Sequence, residues 1–238
     1  MSGSPVILRC SNIHKSFSLN QKASSMLHVL KGIDLEVYEG EIMSIVGASG
    51  CGKSTLLHIL GALDRPSDGK VFWGEKDISL LNDAELANLR GENVGFVFQF
   101  HHLLPEFSAL ENVMIPLMIH RRSKLEAEAR AKELLEKVSL THRMHHKPAE
   151  LSGGEQQRVA AARALATSPK IILADEPSGN LDSVSSQQLH ELLWELNRTL
   201  KQTFVIVTHN ESFVEESNRV FRMVDGQLQI VEHSGLVV

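Results

Sequence analysis

The fold of this 238-residue chain is decided by the stretch Glu41-Ile42-Met43-Ser44-Ile45-Val46-Gly47-Ala48-Ser49-Gly50-Cys51-Gly52-Lys53-Ser54. Its first six residues have the pattern of a buried strand that ends at Gly47. A helix is predicted from about Lys53 to Leu60, where Gly61 can stop it. The stretch therefore predicts a strand, a glycine-rich loop and a helix in direct succession.

The loop from Gly47 to Ser54 fits the pattern G-x-x-x-x-G-K-[ST] in the structural context that this pattern requires. Its glycines let backbone N–H groups converge on phosphate oxygens, and the start of the helix adds positive potential. Lys53 can reach the β- and γ-phosphates of a nucleotide, and the Ser54 hydroxyl can bind Mg²⁺. A plain glycine-rich turn is the alternative. We predict that the nucleotide is bound by Gly47, Ala48, Ser49, Gly50, Cys51, Gly52, Lys53, Ser54 and Thr55.

Strands and helices alternate elsewhere in the chain. Strands are predicted at Val6–Cys10, Leu30–Val37, Val71–Trp73, Val94–Phe98, Ile171–Ala174 and Phe204–Val207, and helices near Gly154 and at Ser183–Leu200. Strand, helix and strand in this order favour a parallel sheet. A closing hairpin is predicted from Arg219 to Val231 with its turn at Asp225-Gly226. The fold class predicted from these patterns is α/β.

The stretch from about 104 to 150 has a different texture and predicts a mostly helical insertion. Leu110 to Leu117 has a helical pattern that Pro116 is expected to disturb. Lys124 to Val138 is predicted to be a better helix, with acid-then-base pairs one turn apart at Glu126–Arg130, Glu128–Lys132 and Glu133–Lys137. Its buried face is predicted to contain Leu125, Ala129, Leu134 and Val138.

Composition excludes several broad classes of protein. Hydrophobic residues make up 42% and charged residues 22%, which is ordinary for a globular chain. The net charge of −5 disfavours a generic nucleic-acid binder, and we expect no nucleic-acid partner. Two cysteines cannot form a disulfide framework and suit a reducing compartment. No apolar run is long enough to span a bilayer, and the first residues lack the pattern of a signal peptide.

Two carboxylates follow the predicted strand Ile171–Ala174 directly. Asp175 is placed to hold Mg²⁺, and Glu176 is placed to accept a proton from the attacking water. The alternative is that both are solvated loop charges. With a phosphate loop in the same chain, the pair predicts nucleotide hydrolysis.

The motif Leu151-Ser152-Gly153-Gly154-Glu155-Gln156-Gln157-Arg158 resembles the LSGGQ signature of the ATP-binding-cassette (ABC) ATPases, with Glu155 in place of the usual Gln. The resemblance implies a P-loop NTPase of the ABC type, with a RecA-like parallel-sheet core, an N-terminal antiparallel β subdomain and an inserted helical subdomain. We expect one ABC domain over 6–233, in which 6–99 and 168–233 form the core and 100–167 the helical subdomain. Residues 1–5 and 234–238 are expected to be flexible ends.

The same resemblance implies how the enzyme works. In the ATP-bound state, a homodimer is expected in which Ser152, Gly153, Gly154 and Glu155 of one subunit close over ATP on the phosphate loop of the other. A D-loop at Ser178-Gly179-Asn180-Leu181-Asp182 is expected to cross the interface. Gln99 is expected to contact Mg²⁺ and water, His209 to contact the γ-phosphate, and Lys53 and Glu176 to take part in catalysis. Phe17 is expected to stack on adenine, with core packing as the alternative.

The stretch Gly95–Val113, with its Gln-Phe-His-His-Leu-Leu-Pro sequence, resembles the LolD group of ABC ATPases, which power lipoprotein-releasing transporters in Gram-negative bacteria. This implies a peripheral subunit on the cytoplasmic face of the inner membrane, bound near Phe100–Phe107 to two LolC/LolE-like permease subunits. Packing of Leu103, Leu104 and Phe107 into a helical core is the alternative for that segment. A MacB-like or FtsE-like ATPase with other cargo, or a soluble ABC ATPase, remains the alternative function.

Overall fold

The computed structural model describes residues 4–18, 26–210 and 214–231. The predicted polar loop at 20–25, residues 1–3 of the predicted N-terminal end and the whole C-terminal end at 234–238 lie outside these residues. Two compact units divide the chain: unit 1 contains Met1–Ala87 and Thr203–Val238, and unit 2 contains Asn88–Gln202. Each unit is described by itself below.

The secondary structure alternates as the sequence predicts. The strands of the described residues are β1 (Val6–Ser18), β2 (Met26–Tyr38), β3 (Ile42–Val46), β4 (Asp68–Trp73), β5 (Lys76–Asp77), β6 (Val94–Phe98), β7 (Ile171–Asp175), β8 (Thr203–Thr208), β9 (Arg219–Val224) and β10 (Gln227–Val231). Their α-helices are α1 (Lys53–Leu60), α2 (Asp83–Asn93), α3 (Ala109–Ile119), α4 (Lys124–Lys137), α5 (Gly153–Ala164) and α6 (Ser183–Leu200). Short 3-10 turns lie at Ile78–Leu80, Thr141–Arg143 and Pro148–Glu150.

Unit 1 contains two groups of paired strands. An antiparallel sheet has the order β2-β1-β4-β5. In the second group β3 lies between β8 and β9 and is parallel to both, while β9 and β10 form an antiparallel hairpin. The two-residue turn of that hairpin has positive φ at Asp225 (47°) and Gly226 (77°), which is the backbone that suits a tight hairpin. The predicted hairpin is confirmed.

The strand, loop and helix that open the sequence argument occur where they are predicted. All five residues of β3 are buried, because strands cover both of its edges and its side chains face the core. Helix α1 begins at Lys53 and ends at Leu60, and the backbone N–H of Gly61 donates to the carbonyl oxygen of Leu57 at 2.9 Å. The glycine-rich loop therefore joins a buried strand to a buried helix.

In unit 2, β6 and β7 run parallel, with Phe98 opposite Asp175 in the register. Helix α5 packs closely against β6, because a Cβ on Gly95 would overlap the carbonyl oxygen of Ala164. Glycine at this position lets the helix backbone approach the strand. Gln99 directly follows β6 and Glu176 directly follows β7. The same register therefore places both residues at one edge of the strand pair.

The prediction that Pro116 disturbs the helix is wrong. Helix α3 continues through Pro116 to Ile119, and the N–H of His120 still donates to the carbonyl oxygen of Pro116 at 3.1 Å. Proline removes one hydrogen bond at its own nitrogen, while burial of the face that contains Val113 and Leu117 keeps the helix together.

The predicted buried face of helix α4 is confirmed at Leu134 and Val138 and wrong at Leu125 and Ala129, which are exposed. Leu125 is 80% exposed, and the buried residues are Ala127, Ala131, Leu134 and Leu135, with Val138 at the C-cap.

Of the three predicted ion pairs, Glu128–Lys132 (2.6 Å) and Glu133–Lys137 (3.7 Å) form, whereas Glu126 does not pair with Arg130. Glu126 instead accepts hydrogen bonds from the backbone N–H and the hydroxyl of Ser123 in a capping box. Capping thus takes the carboxylate that helix spacing assigns to an ion pair.

Helix α2 was not predicted, although the sequence contains a signal for it. The side chain of Asn82 accepts from the N–H of Glu85 at 3.0 Å, and the carboxylate of Glu85 accepts from the N–H of Asn82 at 2.9 Å. This is the reciprocal arrangement of a capping box. The tetrapeptide Asn82-Asp83-Ala84-Glu85 could therefore have identified the start of the helix.

Candidate nucleotide-binding site

The backbone conformation of the phosphate loop requires glycine at Gly47 and Gly52. A Cβ on Gly47 would lie 2.5 Å from the carbonyl oxygen of Met223 and 2.9 Å from the Cys51 sulfur. Gly52 has φ of 111°, a left-handed conformation that favours glycine. The glycines at both ends of the loop are thus required by packing and by backbone conformation.

Helix α1 begins at the end of this loop and offers its N-terminus to an anion. Its first turn contains no acidic residue, so the positive end of the helix dipole is not neutralised there. Lys53 is 6% exposed, and its Nζ donates to the carbonyl oxygens of Gly47 at 2.8 Å and Ala48 at 3.2 Å. The ammonium group is thereby held over the loop rather than extended into solvent. Ser54 is exposed on the first turn of the helix.

His209 follows the strand next to the phosphate loop. Val46 at the end of β3 pairs with Thr208 at the end of β8, so Gly47 and His209 leave the sheet at the same edge. The Thr208 hydroxyl oxygen accepts a hydrogen bond from the N–H of Asn210 at 3.0 Å, which fixes the chain as it leaves the strand. His209 itself is exposed. Unit 1 thus brings His209, which is expected to contact the γ-phosphate, and the phosphate loop to one edge of the sheet.

Phe17 lies near the end of β1 with 42% of its surface exposed. The Nζ of Lys15 lies 5.1 Å from the centre of its ring and forms an ion pair with Asp64 at 2.7 Å. The exposure rules out the alternative of core packing for this ring. A flat aromatic face at the surface is the feature that adenine stacking requires.

The predicted catalytic carboxylates lie at the end of β7 in unit 2. Asp175 is the last residue of the strand and is half-buried, like Glu176 after it. Glu176 has φ of 46°, and its carbonyl oxygen accepts from the N–H of Gly179 at 2.9 Å. A left-handed backbone at a residue with a side chain is uncommon and is found often at functional sites. The chain therefore turns sharply at Glu176 and does not continue the direction of β7.

Gln99 contacts the predicted D-loop directly. Its amide nitrogen donates to Oδ1 of Asn180 at 3.0 Å, and the Asn180 amide donates back to the carbonyl oxygen of Gln99 at 3.2 Å. Gly179 is pressed against the Gln99 side chain, since a Cβ there would lie 2.9 Å from Nε2. The loop then ends at Asp182, which caps helix α6 through the N–H groups of Val184 and Ser185. Unit 2 therefore joins Gln99, Asp175, Glu176 and the D-loop at one edge.

The signature motif opens helix α5 through a capping box. Ser152 Oγ accepts from the N–H of Glu155 at 3.2 Å, and the Glu155 carboxylate accepts from the N–H of Ser152 at 2.8 Å. The second of these bonds is the main reason why the pKa of Glu155 lies below its usual range, and Arg143, 3.1 Å from the carboxylate, lowers it further. Glu155 can thus stand in the place of the usual Gln because its carboxylate caps the helix.

Sequence reasoning missed three residues that hold the stretch after Gln99. Gln157 and Asn112 are fully buried polar residues, and Arg163 is partly buried. All three bond to backbone groups between 98 and 108. A signal existed for Gln157, which lies three and four residues before the buried Ala160 and Ala161 and therefore on the core face of α5. Its partners lie too far away in the sequence to be inferred from spacing.

Comparison with known proteins identifies the family to which this site belongs. Residues 30–179 match the ABC transporter family. A protein of Geobacter metallireducens, named "Lipoprotein-releasing system ATP-binding protein LolD", is 59% identical over 200 residues, which cover 84% of this chain and 89% of that protein. A protein of Cytophaga hutchinsonii with the same name is 54% identical over 220 residues, or 92% of this chain and 97% of that protein.

Solved structures agree with these matches. A structure described as the dimeric post-hydrolysis state of the ATP-binding cassette MJ0796 bound to ADP and Pi superposes with a TM-score of 0.87 at 39% identity, covering 96% of this chain and all of that one. A second dimeric structure of the same cassette also has a TM-score of 0.87, at 40% identity. The predicted fold class is confirmed.

Fold and site together define a P-loop nucleotide-binding cassette. The chain belongs to the ABC transporter family and is an ABC-type ATPase, which binds ATP and hydrolyses it to ADP and phosphate. Among the residues that the structure describes, no helix is both long enough and apolar enough to cross a membrane.

Proposed function

We propose that this chain is the ATP-hydrolysing subunit of a transporter that releases lipoproteins from the bacterial inner membrane. The observation that carries the proposal is the 59% and 54% identity to two LolD proteins over most of both chains. The exposed apolar segment after Gln99 supports it further, because a subunit that drives a membrane pair needs a surface on which that pair can dock.

The proposal gives each half of the site a role in hydrolysis. Lys53 and the loop N–H groups bind the phosphates, and Phe17 stacks on the adenine. Glu176 accepts a proton from the attacking water, and His209 contacts the γ-phosphate. Ser54, Asp175 and Gln99 offer the hydroxyl, carboxylate and amide oxygens that Mg²⁺ prefers, so the donor set fits this ion. When bound, Mg²⁺ neutralises charge on the phosphates.

We further propose that two copies of the chain share each ATP. The signature residues Ser152, Gly153, Gly154 and Glu155 form the turn that opens helix α5, and the resemblance to the ABC signature implies that this turn contacts phosphate. In the proposed homodimer, this turn and the D-loop act on the ATP that the other copy binds. The dimeric structures described for the MJ0796 cassette support a homodimer.

The proposed docking segment is Phe100–Phe107. Three of its apolar side chains are well exposed, namely Phe100 at 65%, Leu104 at 42% and Phe107 at 40%. This exposure disfavours the alternative that Leu104 and Phe107 pack into a helical core. The partner proposed for this surface is a pair of LolC/LolE-like permease subunits, so that the chain works as a peripheral subunit on the cytoplasmic face of the inner membrane.

The test is to purify the chain with its membrane partners and identify them. We expect a permease pair to co-purify and the assembled complex to release a lipoprotein from proteoliposomes in an ATP-dependent way. The complex is also offered a soluble or peptide cargo of the kind that a MacB-like exporter would move. Transport of that cargo without lipoprotein release would overturn the proposal, as would a wild-type chain that binds no membrane protein.

A further inference from the structure

The stretch Phe98–His102 is bonded to helix α5 at two positions. The first is Gln157, which is fully buried one turn into the helix. Its amide nitrogen donates to the carbonyl oxygen of Phe98 at 3.0 Å, and its Oε1 lies 2.5 Å from Nδ1 of His101. One side chain thus spans both sides of Gln99.

This pair of contacts settles which groups donate. A carbonyl oxygen can only accept, so the NH₂ of Gln157 faces Phe98 and its oxygen faces His101. The hydrogen in the second contact must therefore lie on Nδ1 of His101. All the hydrogen-bonding groups in this contact are matched, as a buried polar group requires.

The second position is Arg163 in the last turn of α5. Its guanidinium donates to the carbonyl oxygens of His102 at 2.6 Å and His101 at 2.8 Å. Burial lowers the pKa of Arg163 from its usual value. The two carbonyl oxygens accept hydrogen bonds from two different nitrogens of its planar guanidinium group. Because His102 has φ of 47°, its peptide turns sharply away from β6 there, and the fork holds that turn.

Helix α5 is a stiff connection between these contacts and the signature turn. It has 12 residues, and at a rise of 1.5 Å per residue it is about 18 Å long. Its N-cap is Ser152, and the contacts to residues 98–102 come from Gln157 in its second turn and Arg163 in its last turn. A displacement of residues 98–102 therefore pulls on the same rigid element that presents the signature motif.

We infer that Gln157 and Arg163 are positioning residues that make helix α5 and the stretch Phe98–His102 move as one body. The inference rests on the proposed function, in which the membrane pair pushes on Phe100–Phe107. A push on that segment is then transmitted through four side-chain hydrogen bonds to Ser152 and the signature turn. Neither residue belongs to the proposed nucleotide-binding machinery.

The variants should remove the bonds with little change in shape. Gln157→Met keeps an unbranched side chain of similar volume but loses both amide contacts. Arg163→Lys keeps the positive charge but cannot donate to two carbonyls with a rigid fork. The matched controls are Gln187→Met, whose amide bonds to Glu191 on the exposed surface of α6, and Arg130→Lys, whose guanidinium bonds to Glu133 and Ser168.

Four quantities are measured for each variant: melting temperature, ATPase rate of the isolated subunit, binding to the membrane pair, and lipoprotein released per ATP hydrolysed by the complex. We expect Gln157→Met and Arg163→Lys to bind the pair and to hydrolyse ATP alone within about twofold of wild type. Release per ATP should fall about tenfold, as expected for loss of coupling between sites. Both controls should behave as wild type.

Release per ATP that stays within twofold of wild type in folded variants would overturn the inference. So would an isolated-subunit ATPase rate that falls as far as release, because the residues would then serve the catalytic site or stability. If Gln157→Met melts far below wild type, the test rests on Arg163→Lys, because Arg163 is partly exposed and its substitution should disturb folding less. Release per ATP by the Arg163→Lys complex then supports or overturns the inference. Failure of the proposed function shows separately, since the wild-type complex would then not assemble or release lipoprotein.

Discussion

The phosphate loop and the docking segment are held in opposite ways. In Gly47–Ser54 the shape comes from the backbone, with Gly47 pressed against the carbonyl of Met223 and the side chain of Lys53 folded back on the loop. In Phe100–Phe107 the backbone is held by side chains from elsewhere, while its own apolar side chains face outward. A loop of the first kind can bind an anion; one of the second kind leaves an apolar surface for a partner.

Asn112 shows how far the second kind of loop depends on one residue. Its Oδ1 accepts from the N–H of Leu104 at 2.8 Å, and its amide donates to the carbonyl oxygens of Leu104, Phe107 and Ser108 at 3.0 to 3.1 Å. The residue is fully buried on α3. Its side chain thus adds hydrogen bonds to four backbone groups between Leu104 and Ser108.

The largest expected effect is on chemistry. Glu176→Gln keeps the size and hydrogen bonding of the side chain but removes the base, so ATP hydrolysis should fall by more than ~100-fold. ATP binding and docking should both survive, and a stable ATP-bound dimer should appear in light scattering. Glu195→Gln, an exposed change on α6, is the control and should leave turnover unchanged.

Near-normal turnover of Glu176→Gln would remove this residue from its role. Lys53→Ala gives the complementary result, since it should weaken ATP binding itself. Nucleotide affinity that does not change in Lys53→Ala would count against the assignment of the phosphate loop.

The next effect is on stability at the docking segment. Asn112→Leu removes the side-chain hydrogen bonds to the N–H of Leu104 and to the carbonyls of Leu104 and Phe107, and each lost hydrogen bond costs about 0.5–1.5 kcal/mol. We expect the melting temperature to fall by at least about 4 °C, and binding of the membrane pair to weaken. Asn93→Leu, which removes one bond to Leu89, should cost far less. Equal melting of the two variants would refute the role given to Asn112.

For Leu104→Ala we expect a smaller loss of stability than for Asn112→Leu. The loss of transport, in contrast, should be large. Because Leu104 is 42% exposed, its truncation should cost about 1 kcal/mol at most. Melting and ATPase activity of the isolated subunit should stay near wild type, while binding to the permease pair and transport are lost. Leu135→Ala on α4, where the side chain is fully buried, should instead cost about 2–5 kcal/mol. Full assembly and transport with Leu104→Ala would exclude this residue from docking.

The smallest effect concerns pH and the signature turn. The folded chain holds the pKa of Glu155 below its usual value, chiefly through the N–H of Ser152, so the charged carboxylate is favoured by folding. That stabilisation is present above the unfolded pKa of about 4.3 and is lost as pH falls through the lower folded value. Wild type should therefore melt higher than Glu155→Gln at pH 7, and the difference should shrink below about pH 4. A difference that grows on acidification would contradict this reasoning.

The two regions also differ in how well the sequence predicts them. The phosphate loop, β3 and α1 follow from local patterns, because glycines, an apolar run and helix signals are all adjacent in the chain. The anchoring of Phe100–Phe107 does not, because Gln157 and Arg163 reach it from about 60 residues away. Local rules also failed at Pro116, where burial of the helix outweighs the proline, and at Leu125, where the first two turns of α4 bury Ala127 and Ala131 instead.

The most direct test of the whole account is lipoprotein release from proteoliposomes that contain the membrane pair together with either wild-type chain or Glu176→Gln. The account predicts that wild type releases lipoprotein when ATP is added. The Glu176→Gln complex should assemble and bind ATP but release more than ~100-fold more slowly. Release that proceeds at the wild-type rate with Glu176→Gln, or that needs no ATP with wild type, would contradict the account.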